Sequence, residues 1–155
     1  MTTPGTHHSQ FTLTRDFPQP PARVYAAWAD PALKRRWFVE MDSPDWQTLD
    51  YALDFRVGGQ ETGSFRHHGA QVHSNVTVYL EIQPDQRILF AYTMAMDGRI
   101  HSASLATVEF LPGASGGTRM RFTEQGAYLD GFEPEGARQS GWEAILDNLG
   151  KALAG

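Results

Sequence analysis

The sequence predicts a single α+β domain in which an antiparallel meander packs against one long C-terminal helix. Three observations lead there. Apolar residues at every second position, the period of a half-buried strand, occupy residues 9–17 and then recur through most of 49–126. Prolines open two short helical stretches between those regions. Finally, apolar side chains from Trp142 to Leu153 recur at three- and four-residue spacing, the period of an amphipathic helix.

The first strand is read over 9–17, where Phe11, Leu13, Arg15 and Phe17 alternate with Thr12, Thr14 and Asp16. Pro18, Pro20 and Pro21 stop it, and Pro21 opens a helix in which Val24, Ala27 and Trp28 share a face. Asp30 is then an N-cap with Pro31 at the first helical position, and Leu33 and Trp37 stand four apart on a second short helix. Tyr51, Leu53, Phe55 and Val57 alternate until Gly58-Gly59 permits a reversal or bulge. Further strands are expected over 61–67, 73–82, 88–96, 99–111 and 118–125. The links between them carry turn chemistry: Gly69, Pro84-Asp85, the hairpin pair Asp97-Gly98, and Pro112-Gly113 through Gly116-Gly117. After Pro134, Trp142, Ile145, Leu146, Leu149 and Leu153 form one stripe, with Glu143, Asp147 and Lys151 opposite. Such a helix needs a large apolar surface, and the inner face of the sheet is the one available.

Composition narrows the function. At 155 residues the chain is about one domain with a real core, and 41% hydrophobic residues place it outside the disordered class. With no cysteine there is no disulfide framework, thiolate nucleophile or Cys-ligated metal. The formal net charge is −5 and the basic residues are dispersed, which argues against nucleic acid. Neither a secretory signal nor an apolar run of about 18 residues is visible, so the expected location is cytoplasmic. Residues 1–10 are read as a disordered polar tail and 11–153 as the domain.

The order strand, two helices, six strands, helix resembles the helix-grip fold of Bet v 1-like, START and polyketide-cyclase (SRPBCC) proteins. Several segments sharpen the match: Asp30-Pro31-Ala32-Leu33 with Arg36-Trp37-Phe38, Asp54-Phe55-Arg56-Val57-Gly58-Gly59, Glu81-Ile82-Gln83-Pro84 with Arg87-Ile88-Leu89-Phe90, Thr107-Val108-Glu109-Phe110, Gly117-Thr118-Arg119-Met120, and Gly141-Trp142 with Leu146 and Leu149. In that order they resemble the family related to the C-terminal domain of the activator of heat-shock protein 90 ATPase, from about Phe11 to Leu153. The resemblance implies a curved sheet of about seven strands gripping the C-terminal helix, and between them a cavity that in relatives takes lipids, sterols, polyketides or hormones. Chaperone stimulation is not carried over. In the eukaryotic activator it belongs to a separate N-terminal domain, and here about ten polar residues are expected before the first strand.

A cavity of this kind needs apolar walls and a few polar groups to fix orientation. If Glu109, Arg119 and Arg121 face water, then Val108, Phe110, Met120, Phe122 and Glu124 face inward by alternation. Phe90, Tyr92 and Met94 share a face on the preceding strand, and the helices add Trp28, Trp37, Trp142 and Leu146. Glu124 is the informative polar residue, because a carboxyl among Met120 and Phe122 is costly to ionise and suits acid–base work or a ligand anchor. Tyr92 and His101 are the other proton-transfer candidates.

Other chemistry finds less support. His67, His68, His73 and His101 invite a metal reading, but no His-Glu-x-x-His helix is present and His67-His68 beside Gly69 reads as a hairpin tip, so no metal and no cofactor is expected. Ser102 and Ser104 lie in a strand rather than a nucleophile elbow. Asp54 and Arg56 are read as an ion pair on one strand. The leading expectation is a protein that binds an apolar or amphipathic small molecule. An enzyme of cyclase, dehydratase or hydrolase type using the same cavity is the second reading. A homodimer or chaperone-interacting module is the third, with Trp46 and the 41–49 loop as its expected apolar patch.

Overall fold

The computed structural model describes residues 5–41, 43–69 and 71–155. Seven strands make one antiparallel sheet: β1 (Thr6–Phe17), β2 (Trp46–Leu53), β3 (Gln60–His67), β4 (Val72–Gln83), β5 (Arg87–Met96), β6 (Arg99–Pro112) and β7 (Thr118–Leu129). Their spatial order is β1-β7-β6-β5-β4-β3-β2, so the expected meander runs from β2 to β7 and β1 pairs beyond it. Bulges interrupt the register between Thr48 and Asp50, between Tyr79 and Glu81, and between Met94 and Ala95. Each adds a residue to one strand only and bends it, which helps the sheet curve around the helix.

The helices are α1 (Pro21–Ala29), α2 (Pro31–Lys34), which continues into a π turn over Arg35–Val39, and α3 (Ala137–Ala154). Asp30 caps α2 as expected, its side chain accepting from the Ala32 and Leu33 backbone N–H groups at 2.9 and 3.3 Å. The hairpin between β5 and β6 has both Asp97 (φ 49°) and Gly98 (φ 82°) in the left-handed region, as a tight reversal matching the strand twist requires. No described helix is long and apolar enough to cross a membrane.

The core lies between the inner face of β1 and β5–β7 and the helices, where Leu13, Val108, Phe110, Met120 and Phe122 meet Val24, Trp28, Leu146 and Leu149. Each such side chain contributes roughly 1.5–3 kcal/mol by leaving water. Trp37 is fully buried too, with its indole N–H donating to the Ala27 carbonyl at 2.9 Å.

Three expectations need correction. β1 begins at Thr6, so residues 6–10 are strand rather than tail; they pair with Gln125–Leu129, and because their side chains are exposed no apolar alternation marks them. Residues 1–4 of the expected tail lie outside the described residues. β2 starts at Trp46 and ends at Leu53, which leaves Phe55 and Val57 in the turn into β3. There Gly59 is required, since a Cβ would lie 2.2 Å from the Asp54 carbonyl oxygen. The Arg56 guanidinium does donate to Asp54 at 2.9 Å, but from this exposed turn and not along a strand.

Candidate functional site

Inward positions along the sheet change character from one half to the other. On β6 and β7 they are large and apolar, whereas on β2–β4 they include Thr48, Gly63, Asn75 and Thr77. Gly63 lies opposite Tyr51 on one side and Asn75 on the other. Small side chains cannot reach α3, and a cavity of about 280 Å³ is left between β2–β5 and the first half of the helix. Phe38 and Val39 of the π turn, Trp46, Phe65, Phe90, Met94, Trp142 and Ile145 supply its apolar wall. Trp46 stacks on Phe65 with ring centroids 4.2 Å apart, and Phe65 on His73 at 5.2 Å. Trp46 therefore belongs to the cavity wall, not to the exposed loop patch that the interaction reading expected.

Two polar networks flank the cavity. At one, the Tyr92 hydroxyl donates to Glu124 Oε1 at 2.7 Å and accepts from Arg138 Nη1 at 3.0 Å and from the Trp142 indole at 3.1 Å. Arg138 also donates to Ser102 at 2.8 Å, Ser104 at 3.3 Å and Glu133 at 3.0 Å, and lies 3.5 Å from Glu124 Oε2. Tyr92, Glu133, Arg138 and Trp142 line the cavity, while the fully buried Glu124 stands behind Tyr92. Burial pushes the Glu124 carboxyl up from its ordinary range, opposed by the Tyr92 hydrogen bond and the Arg138 charge. Burial, reinforced by Glu124, likewise pushes the Tyr92 phenol up.

At the other, Lys34 and Glu61 are each 1% exposed. Lys34 Nζ donates to Glu61 at 2.8 Å and to the Tyr79 hydroxyl at 3.2 Å. Tyr79 donates in turn to Glu61 Oε1 at 3.1 Å, and Tyr51 donates to Oε2. Aromatic faces surround the ammonium, with Phe38 at 4.5 Å and Trp28 at 5.4 Å from ring centroid to Nζ. Burial pushes the Lys34 amine down from its ordinary value, opposed by Glu61.

The expected cavity residues thus divide. Phe90, Tyr92, Met94 and Trp142 line the cavity. Trp28, Trp37, Val108, Phe110, Met120, Phe122 and Leu146 lie in the close-packed core instead, because α1 and the second half of α3 fill that side of the sheet. Glu124 is buried and inward as expected but reaches the cavity only through Tyr92. His101 does not line it: the β5–β6 bulge turns it onto Phe132, with rings stacked at 5.6 Å, its Nδ1 is buried without a partner, and burial pushes its imidazole down. The three proton-transfer candidates therefore do not converge on one point. Among the described residues, no group of three or more His, Asp or Glu side chains gathers as a metal site would need.

Sequence reasoning missed Lys34, Tyr51, Glu61 and Arg138. Lys34 begins a Lys-Arg-Arg run, yet it lies three and four residues before Trp37 and Phe38, on their helical face. Glu61 shares the period-two face of Gly63 and Phe65, and Arg138 stands one turn before Trp142. In these three residues the charge masks the position, whereas Tyr51 already falls on the alternating pattern of its strand.

Comparison with known proteins agrees with this fold. The family model of activator of Hsp90 ATPase homolog 1-like proteins matches residues 18–154. The crystal structure of Mll3558 from Rhizobium loti is 40% identical, with a TM-score of 0.87 over 96% of this chain and 99% of that one. An uncharacterised protein from Rhizobium leguminosarum is 41% identical, with a TM-score of 0.90 over 99% of both chains. The AHSA1-like protein from Aeromonas hydrophila, 23% identical over 94% of this chain and 92% of that one, has the same fold at a TM-score of 0.68. A search of curated proteins finds no match. With its helix-grip architecture and a family match over nearly its whole length, the chain belongs to the activator of Hsp90 ATPase homolog 1-like family.

Proposed function

We propose that the protein binds an apolar or amphipathic small molecule in the cavity beneath the first half of α3. The observation that carries this reading is the wall itself, an aromatic and Met-lined space with convergent polar groups at Tyr92 and Arg138 on one flank and at Lys34 and Glu61 on the other. That combination is the one small-molecule sites use, the apolar wall for affinity and the polar groups for orientation. A volume of about 280 Å³ is near the lower end of the ~300–1,000 Å³ typical of such sites and favours a compact ligand. The homodimer and chaperone readings have less to draw on. The large apolar side chains exposed among the described residues, Leu49, Val57, Val76, Leu80 and Ile100, are spread over β2, the β2–β3 turn, β4 and β6.

A thermal-shift screen against fatty acids, sterols, flavonoids and polyketide-like aromatics tests the proposal. A ligand at 100 times its Kd adds about 2.7 kcal/mol, which raises Tm by about 5–11 °C in a domain of this size. The expected result is stabilisation of the wild type by one class and little or none of Trp142→Ala. Failure of every class to stabilise the wild type would overturn the reading.

A further inference from the structure

We propose that Lys34 is a reactive amine that condenses with an aldehyde or ketone held in the cavity, forming an iminium. The inference rests on the small-molecule reading above and deepens it by naming the chemical class of the ligand. Its basis is the placement of a buried lysine among the residues that line the cavity, with its Nζ 2.8 Å from a carboxylate that is itself held by two tyrosines.

The choice of residue is informative. Of thirteen basic side chains only two are lysines, Lys34 and Lys151. Lys151 is exposed near the end of α3, so the buried position is filled by the rarer basic residue. A purely structural ion pair at that point would be served better by arginine, whose planar fork binds a carboxylate through two bonds. Replacing such a pair by apolar residues is often neutral or stabilising, so packing alone gives little reason to keep it. Lysine offers what arginine cannot: a proton that can be removed and a free amine that attacks carbonyl carbon. Burial disfavours the charged form, against the pull of the Glu61 carboxylate, and Glu61 is positioned to receive the proton.

The step balances within these residues and the ligand. Glu61 takes a proton from the Lys34 ammonium, and the Nζ lone pair forms a bond to the carbonyl carbon. The carbonyl π pair moves to oxygen, which takes that proton back from Glu61 and gives a carbinolamine. Glu61 then carries a second N–H proton to the hydroxyl, the C–O bond breaks, and water leaves. Overall one ammonium and one carbonyl give one iminium and one water, with charge unchanged and no external oxidant or reductant. Tyr51 and Tyr79 hold Glu61 in place throughout.

The test is reductive trapping. Wild-type protein is incubated near pH 7 with 2-naphthaldehyde and sodium cyanoborohydride, which reduces an iminium to a stable secondary amine, and labelled sites are mapped by peptide mass spectrometry. Binding of 2-naphthylmethanol, which has the same ring but no carbonyl, is followed in parallel by thermal shift. Expected is labelling of Lys34 at least about tenfold faster than Lys151 or the α-amino group, slowed by 2-naphthylmethanol and slower again in Glu61→Gln. Lys34→Arg should lose that label alone; if this variant fails to fold, the ratio of Lys34 to Lys151 within the wild type still decides. Binding of 2-naphthylmethanol with Lys34 labelled no faster than Lys151 would overturn the inference and leave the binding proposal standing. Neither binding nor labelling would overturn the inference, and failure of every class in the thermal-shift screen would overturn the binding proposal with it.

Discussion

Replacing Tyr92 with phenylalanine removes one oxygen and, with it, three hydrogen bonds made at a single buried point. The three partners fare differently. Arg138 keeps Ser102, Ser104 and Glu133. The Trp142 indole N–H loses its hydrogen-bond partner, and a buried unsatisfied donor costs about 1–3 kcal/mol. Glu124 loses its 2.7 Å donor and keeps longer contacts, among them Arg138 at 3.5 Å and Tyr128 at 3.5 Å. Because burial favours the protonated carboxyl, the lost bond is worth roughly 0.5–1.5 kcal/mol net, and the adjacent cavity gives water a way to recover part of it. The expected cost is about 3 kcal/mol, or about 6–12 °C in Tm for this chain length. Urea and thermal unfolding of Tyr92→Phe, Glu124→Gln and the double variant measure it. In the Glu124→Gln background the Tyr92 substitution should cost at least about 1 kcal/mol less, the coupling expected of directly bonded side chains. A Tyr92→Phe cost below about 0.5 kcal/mol, the range of an ordinary surface change, would refute the reasoning.

Glu124 also sets a pH dependence. Its folded pKa is raised by burial, so the folded state holds a proton that the unfolded chain releases above its ordinary value near 4.5. The stability this proton brings is complete below the unfolded pKa and is lost as pH rises through the folded one. Glu124→Gln does not titrate, so its stability relative to wild type should climb as pH rises above about 4.5; urea midpoints that move the opposite way would contradict this. Gly63→Val should weaken binding of any cavity ligand by at least about tenfold while changing Tm by only a few degrees. Its Cβ meets the movable Asn75 amide oxygen at 2.8 Å and the Tyr51 ring at 3.7 Å, without a backbone clash. Leu146→Ala should do the reverse, costing about 2–5 kcal/mol and leaving affinity unchanged, because Leu146 packs in the core and does not line the cavity. Arg121→Ala, which breaks an exposed cross-strand pair with Glu109, should cost no more than about 1 kcal/mol by chemical denaturation.

Most of the fold was legible because its signals are local. Period-two alternation, the Asp30 cap and the Asp97-Gly98 hairpin each depend on a few neighbouring residues, and apart from Phe55 and Val57, which lie beyond the end of β2, they appear where expected. Alternation also gave the inward faces of β5, β6 and β7 correctly, Glu124 included. What it could not give was which inward residues meet α3 and which meet empty space. That depends on volumes summed across strands distant in sequence: the gap opens because Gly63, Asn75 and Thr77 fall side by side through the pairing of β3 and β4, while large residues fill the other half. The polar networks were hidden for a related reason. Lys34, Glu61 and Arg138 look like solvated charges when read alone, and burial became tolerable only once folding brought each one its partners. The first strand was cut short because Thr6–Gln10 are held by backbone pairing with β7 and carry no apolar pattern to read.

The most direct test of cavity binding is a two-dimensional amide NMR titration of the wild-type protein with 2-naphthol, a compact amphipathic aromatic. Cavity binding predicts saturable shifts at the amides of Gly63, Asn75, Thr77 and Tyr92 and at the Trp142 indole, with Arg121 and Glu109 on the outer face unmoved. Saturable shifts confined to the outer face, or none at the Trp142 indole and these four amides at millimolar ligand, would contradict it.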